Sequence, residues 1–216
     1  MSTRSTHLIV LAVLAASLIV GALAYPRLPA EVVTHWNAAG QPDNFGSPLF
    51  AVLVMPAATL LMYGIFLLIP RIDPLKDNVA AFRGYFNAFV VSVVIFLGYI
   101  GTLTLAWNLG VQFDLGRAMA PAMGALFFVA GVLLEHARPN WFIGIRTPWT
   151  LSSEAVWYRT HRLGARLFKG LGVLAVMALL VPGQYALWLV VVPVLLVAAW
   201  SFVYSYWAYT QERARE

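Results

Sequence analysis

Residues 170–211 read GLGVLAVMALLVPGQYALWLVVVPVLLVAAWSFVYSYWAYTQ, 42 positions without Asp, Glu, Lys, Arg or His. The only break in the apolar character is Pro182-Gly183-Gln184. A helix needs about 20 apolar residues to cross a bilayer, so this stretch reads as two crossings joined by a tight turn. Four earlier stretches are also uncharged: Leu8–Pro26, Asn44–Pro70, Gly84–Phe113 and Ala118–Leu134. Backbone polar groups in hydrocarbon have no water to bond, which forces such segments into helices. The expected fold is all-α: a polytopic membrane bundle of six transmembrane helices near 8–25, 48–69, 84–107, 118–134, 167–182 and 185–209.

Composition leads to the same place. Hydrophobic residues make up 61% of the chain and charged residues 11%, against about 25% charged in a soluble domain. With 216 residues, six crossings leave one membrane domain spanning the chain and short connections. The net charge of +5 is not spread as a nucleic-acid surface would need. Of the 14 Lys and Arg residues, Arg27 and Arg117 fall on one side and the other 12 on the opposite side. Cytoplasmic loops carry the excess of Lys and Arg, so both termini are expected in the cytoplasm. Ala22-Leu23-Ala24 looks like a signal-peptidase site, but the apolar run before it exceeds a usual signal core, and it is read as the first crossing. Cysteine is absent, which excludes disulfides and thiolate metal sites.

No ionisable residue sits in the central part of any expected crossing. Such residues normally mark ion paths and proton relays, so ion-coupled transport is disfavoured. No His-Glu-x-x-His pair or Gly-x-Ser-x-Gly elbow occurs. Glu135-His136 are neighbours, but adjacent helical residues point in different directions. No catalytic set, metal set or cofactor is expected, and the chain reads as a non-enzyme. Pro56 and Pro193 fall inside the second and sixth crossings. Ser92, Gly98, Gly101, Gly124 and Gly131 offer close helix approach. The aromatics from Trp200 to Tyr209 suit an interfacial belt.

Two polar segments are too specific to be plain linkers. The outer loop, residues 26–47, is rich in Pro and Gly and suits turns and extended chain. Within it His35-Trp36-Asn37 joins a titratable ring, an amphipathic aromatic and an amide, and Gly40-Gln41-Pro42-Asp43-Asn44 reads as a turn. The loop is expected to be either a lid with Trp36 packed on helix ends or a recognition surface formed by His35, Trp36, Asn37, Gly40, Pro42 and Asp43. His35 and Asp43 are too few for a metal site. The inner loop, residues 135–169, opens with the irregular stretch RPNWFIGIRTPWTLSS. It continues as a helix capped by Ser152 or Ser153, with Glu154 at its positive end. Arg159, Arg162, Arg166 and Lys169 recur at steps of 3, 4 and 3 on one face, beside Val156, Leu163 and Leu167. A basic amphipathic helix running into a crossing, as here, lies against anionic inner-leaflet lipids; docking a cytoplasmic partner is the alternative. Trp141, Trp149 and Trp157 are expected to pack on one another or on helix ends, and Arg146 to meet Glu135, Glu154 or helix-end carbonyls.

These two segments carry a resemblance. Leu28-Pro29 and His35-Trp36-Asn37-Ala38-Ala39-Gly40-Gln41-Pro42-Asp43 look like the first loop of the SdpI family of bacterial immunity proteins. Ile143-Gly144-Ile145-Arg146-Thr147-Pro148-Trp149-Thr150-Leu151, with Val156-Trp157 and Thr160-His161-Arg162, resembles that family's inner-loop signature. Val33 departs from the pattern, standing where a proline is expected. The resemblance implies a multipass protein of the bacterial cytoplasmic membrane that protects against a secreted peptide toxin. It further implies that an ArsR-like repressor is held at the membrane through the inner loop, with Arg146, Thr147, Pro148, Trp149, Trp157, Arg159, His161, Arg162 and Arg166 as the partner- or lipid-binding set. Two other readings stand beside it: a small-molecule, peptide or lipid-handling transporter without ion coupling, and a membrane enzyme using Glu135, His136 and His161.

Overall fold

A computed structural model describes residues 1–215; Glu216, expected on the cytoplasmic side, lies outside the described residues. Among the described residues, six helices are long and apolar enough to cross a membrane. They are α1 (Thr3–Ala24), α2 (Pro48–Ile72), α4 (Arg83–Asn108), α5 (Leu115–His136), α7 (Glu154–Met177) and α8 (Gly183–Arg213). Short α3 (Lys76–Ala81) links α2 to α4, and short α6 (Pro148–Ser152) precedes α7. Between α1 and α2 a hairpin pairs β1 (Val32–Trp36) antiparallel to β2 (Pro42–Gly46). The protein is an all-α polytopic membrane bundle carrying one small hairpin.

Local chemistry sets the boundaries. Ser2, Ser47, Asp114 and Ser153 cap α1, α2, α5 and α7, each accepting a backbone N–H of the first turn at 3.0–3.2 Å. Thr147 and Thr150 form a reciprocal capping box on α6. The fifth crossing differs from its expected start at residue 167: the basic helix and the crossing are one continuous α7 from Glu154. No residue between them breaks a helix, so the basic segment forms the first turns of α7. Its buried face is Val156, Trp157, Thr160, His161 and Gly164, while Arg159, Arg162 and Arg166 are exposed.

Small residues bring the helices together. A Cβ on Gly124 would lie 2.8 Å from the Gly172 carbonyl, and one on Gly131 2.8 Å from that of Ala165. Only glycine permits this approach of α5 to α7. Gly98 and Gly101 of α4 receive Val13 of α1 and Met55 of α2 in the same way. The largest buried cluster, including Phe66, Phe82, Phe86, Val90, Leu133, Ile143 and Trp157, lies toward the end of the bundle away from the hairpin.

Candidate functional site

The hairpin closes one end of the bundle, and its shape follows from Asn37. The Asn37 amide oxygen accepts the N–H groups of Ala39 and Gln41 at 2.9 and 3.1 Å, while its own N–H donates to the Gln41 carbonyl at 2.9 Å. Gly40 completes the turn at φ +75°, a conformation side chains disfavour. Asn37 and Gly40 are therefore turn-forming residues. Asn108, at the last turn of α4, clamps β1: its Oδ1 accepts the Val33 N–H at 2.8 Å and its Nδ2 donates to the Val33 carbonyl at 2.9 Å. Trp36 meets Trp107 edge to face at 5.8 Å, and Trp107 meets Phe113 at 5.4 Å. The lid with Trp36 packed on a helix end is thus observed. On the exposed side His35 Nδ1 donates to Asp43 Oδ1 at 2.6 Å, with Pro42 beside them also exposed. Among the described residues this pair has no third side chain to complete a metal site.

Under the hairpin lies a cavity of ≈ 370 Å³. Its walls are apolar, from Met55 of α2, Phe96, Ile100 and Leu103 of α4, Met119 and Met123 of α5, and Leu187 and Val190 of α8. Thr34, His35, Trp36 and Asn37 of the hairpin, and Thr104, are the polar and amphipathic residues that complete the lining. The Trp36 indole N–H is buried and has no hydrogen-bond partner among the described residues. Sequence reading found His35, Trp36 and Asn37 but not the cavity, which forms only where four separate helices meet.

The loop between α5 and α7 occupies the opposite end and is tightly organised. Asn140, fully buried, donates to the carbonyls of Arg138 and Ile143 and accepts the N–H groups of Phe142 and Ile143 at 2.6–2.9 Å. Asp73, at the end of α2, accepts the Trp141 N–H at 3.0 Å, and Asn78 donates to the Pro139 carbonyl at 2.8 Å. His161 is buried; its Nε2 accepts the Ile145 N–H at 3.0 Å and its Nδ1–H donates to the Trp157 carbonyl at 2.9 Å. Because a backbone N–H faces Nε2, the ring is held neutral in one tautomer. Trp157 stacks on His161 at 3.9 Å and donates to the Ala137 carbonyl at 3.0 Å.

The loop is also fastened to α8. Thr147 donates to Ser205 at 3.0 Å, Ser153 donates to Glu212, and Trp149 packs on Phe202 and Tyr206. Arg146 donates to the Trp141 carbonyl at 2.8 Å rather than to Glu135 or Glu154. Glu135 pairs with Lys169, and His136 stacks on Tyr85. Trp141 is 52% exposed, so of the three tryptophans only Trp157 is a core residue. Glu135, Tyr158, His161, Arg162 and Arg166 line a second cavity of ≈ 420 Å³, whereas Pro148 and Arg159 are simply exposed. Sequence reading missed Asp73, Asn78, Asn140, Ser205 and Glu212. Their partners lie on other elements, and no spacing rule links them.

Comparison with known proteins follows this division. Residues 136–205, which hold the loop, α7 and much of α8, match the SdpI/YfhL protein family. Residues 12–60, which hold the hairpin, match a domain of unknown function, DUF1648. The chain is similar to "Immunity protein SdpI" of Bacillus subtilis (strain 168), at 24% identity over 203 residues, 94% of this chain and 95% of that protein. No solved structure matches.

Proposed function

We propose that this chain is an immunity and signalling protein of a bacterial cytoplasmic membrane, acting by binding and not by catalysis. Both termini and the loop at residues 135–169 face the cytoplasm, and the hairpin within residues 26–47 faces outward. The hairpin recognises a secreted membrane-active peptide toxin through its exposed His35–Asp43 pair. The basic first turns of α7 contact anionic lipid and present a surface to a cytoplasmic, ArsR-like repressor, with no direct contact to nucleic acid.

The observation that carries this reading is the likeness to an immunity protein over 94% of the chain, joined to two shaped loops at opposite ends of the bundle. The Lys and Arg distribution supports the orientation. The apolar cavity favours a second reading, a lipid-handling protein without ion coupling.

The test is growth of a sensitive bacterium making this chain and challenged with a secreted membrane-active peptide toxin, with Bacillus subtilis SdpI as reference. Protection above the empty-vector level is expected. Growth no better than the vector at equal protein abundance, while the reference protects, moves the assignment to the lipid-handling reading.

A further inference from the structure

The cavity beneath the hairpin has the chemistry of hydrocarbon at one end and of an interface at the other. Its depth is lined by Met, Phe, Ile, Leu and Val, and its polar rim is supplied mainly by the hairpin. An apolar cavity does not hold water well, because a water needs two to four polar partners. The three methionines, Met55, Met119 and Met123, are unbranched and flexible, and conform to irregular, variable guests. α2 packs against α1 and α4, while α8 packs against α5 and α7. The cavity therefore sits at a seam between two helix groups.

A cavity of ≈ 370 Å³ has room for roughly a dozen water-sized groups, enough for a length of hydrocarbon chain. Trp36 is one of the lining residues, and its indole N–H, buried and without a partner among the described residues, is a donor suited to an ester carbonyl at the head of such a chain.

We infer that this cavity binds one acyl chain of a phospholipid from the leaflet on the hairpin side, with the lipid's ester acceptor at Trp36. The hairpin then rests on a lipid chain as well as on α4, and its position is coupled to the membrane around it. The inference does not rest on the immunity role, since chain binding is read with no toxin present.

The test uses the full chain in vesicles of phosphatidylethanolamine and phosphatidylglycerol, doped with phosphatidylglycerol bearing a diazirine near the end of one acyl chain. After irradiation, adducts are mapped by mass spectrometry. Adducts are expected to concentrate on Met119, Met123 and Leu187. Met119→Trp fills the cavity and is expected to abolish adducts on Met123 and Leu187, whereas Leu195→Trp on the exposed flank of α8 leaves them unchanged. Trp36→Phe keeps the ring but loses the donor, and is expected to lower cavity adducts without changing those on the outer flank. Adducts confined to outward residues such as Leu195 and Leu196 in the unsubstituted chain overturn the inference, whether or not Met119→Trp folds. Undiminished Met123 adducts in a folded Met119→Trp chain overturn it equally.

Discussion

Asn108 and Asn140 do for the two loops what spacing in the sequence did not announce. Each uses one amide to satisfy several backbone groups that no helix or sheet ladder reaches. A lone asparagine at a helix end or in a loop reads as solvated, so nothing short of the fold marks either one. Val33 is instructive beside Asn108. It stands where the resembled pattern carries proline, and its N–H is the group that Asn108 accepts; a proline has no such donor. Asn108→Ala strands both polar groups of Val33 and is expected to cost about 1–3 kcal/mol. Hydrogen exchange should then accelerate across residues 32–36 and stay unchanged across residues 140–147; equal exchange in both regions contradicts the clamp. At the other end, Gly144 has φ +109°, and an added Cβ runs into the His161 ring. Gly144→Ala should lower the melting temperature in detergent. Trp157→Ala, which empties a fully buried site, should also lower it, at a stability cost of about 3–5 kcal/mol.

Elements were more legible than residues, and the failures have identifiable causes. The six crossings follow from uncharged length alone, because hydrocarbon leaves a polar backbone no alternative to a helix. The hairpin was read only as extended chain and turn. Its second strand, Pro42–Gly46, has the sequence PDNFG, and Pro, Asp, Asn and Gly are poor strand formers. Pairing with β1 and the clamp on α4 outweigh that propensity. The basic helix reads as running into the fifth crossing, but the apolar run places that crossing's start near residue 167, because charge ends an apolar run without ending a helix. The irregular loop was legible as compact but not as fastened to α8, since Ser205 and Glu212 sit more than fifty residues downstream of Thr147 and Ser153. That fastening makes a distinct prediction. Thr147→Val combined with Ser153→Ala should speed exchange in the last turns of α8 and loosen the Trp149 contact with Phe202 and Tyr206. Unchanged exchange there would show that packing alone holds the loop to α8.

The whole molecule is a bundle with a shaped loop at each end. The absence of cysteine lets single introduced cysteines report sidedness. Cysteines at Asp43 and Gln184 should react with a membrane-impermeant maleimide on intact cells, and those at Asp77 and Ser152 only after lysis; the reverse pattern inverts the molecule and the roles of both loops. The central claim is that recognition belongs to the exposed side of the hairpin and relay to the basic turns of α7. His35→Ala with Asp43→Ala removes the exposed pair while leaving Asn37, Gly40 and Asn108 to hold the turn. Arg162→Gln with Arg166→Gln removes charge from the opposite end. The deciding measurement is growth of a sensitive bacterium under toxin challenge, with each double variant at the abundance of the unsubstituted chain. The account predicts that the His35 and Asp43 variant loses protection while the Arg162 and Arg166 variant keeps it; full protection by the His35 and Asp43 variant would contradict it.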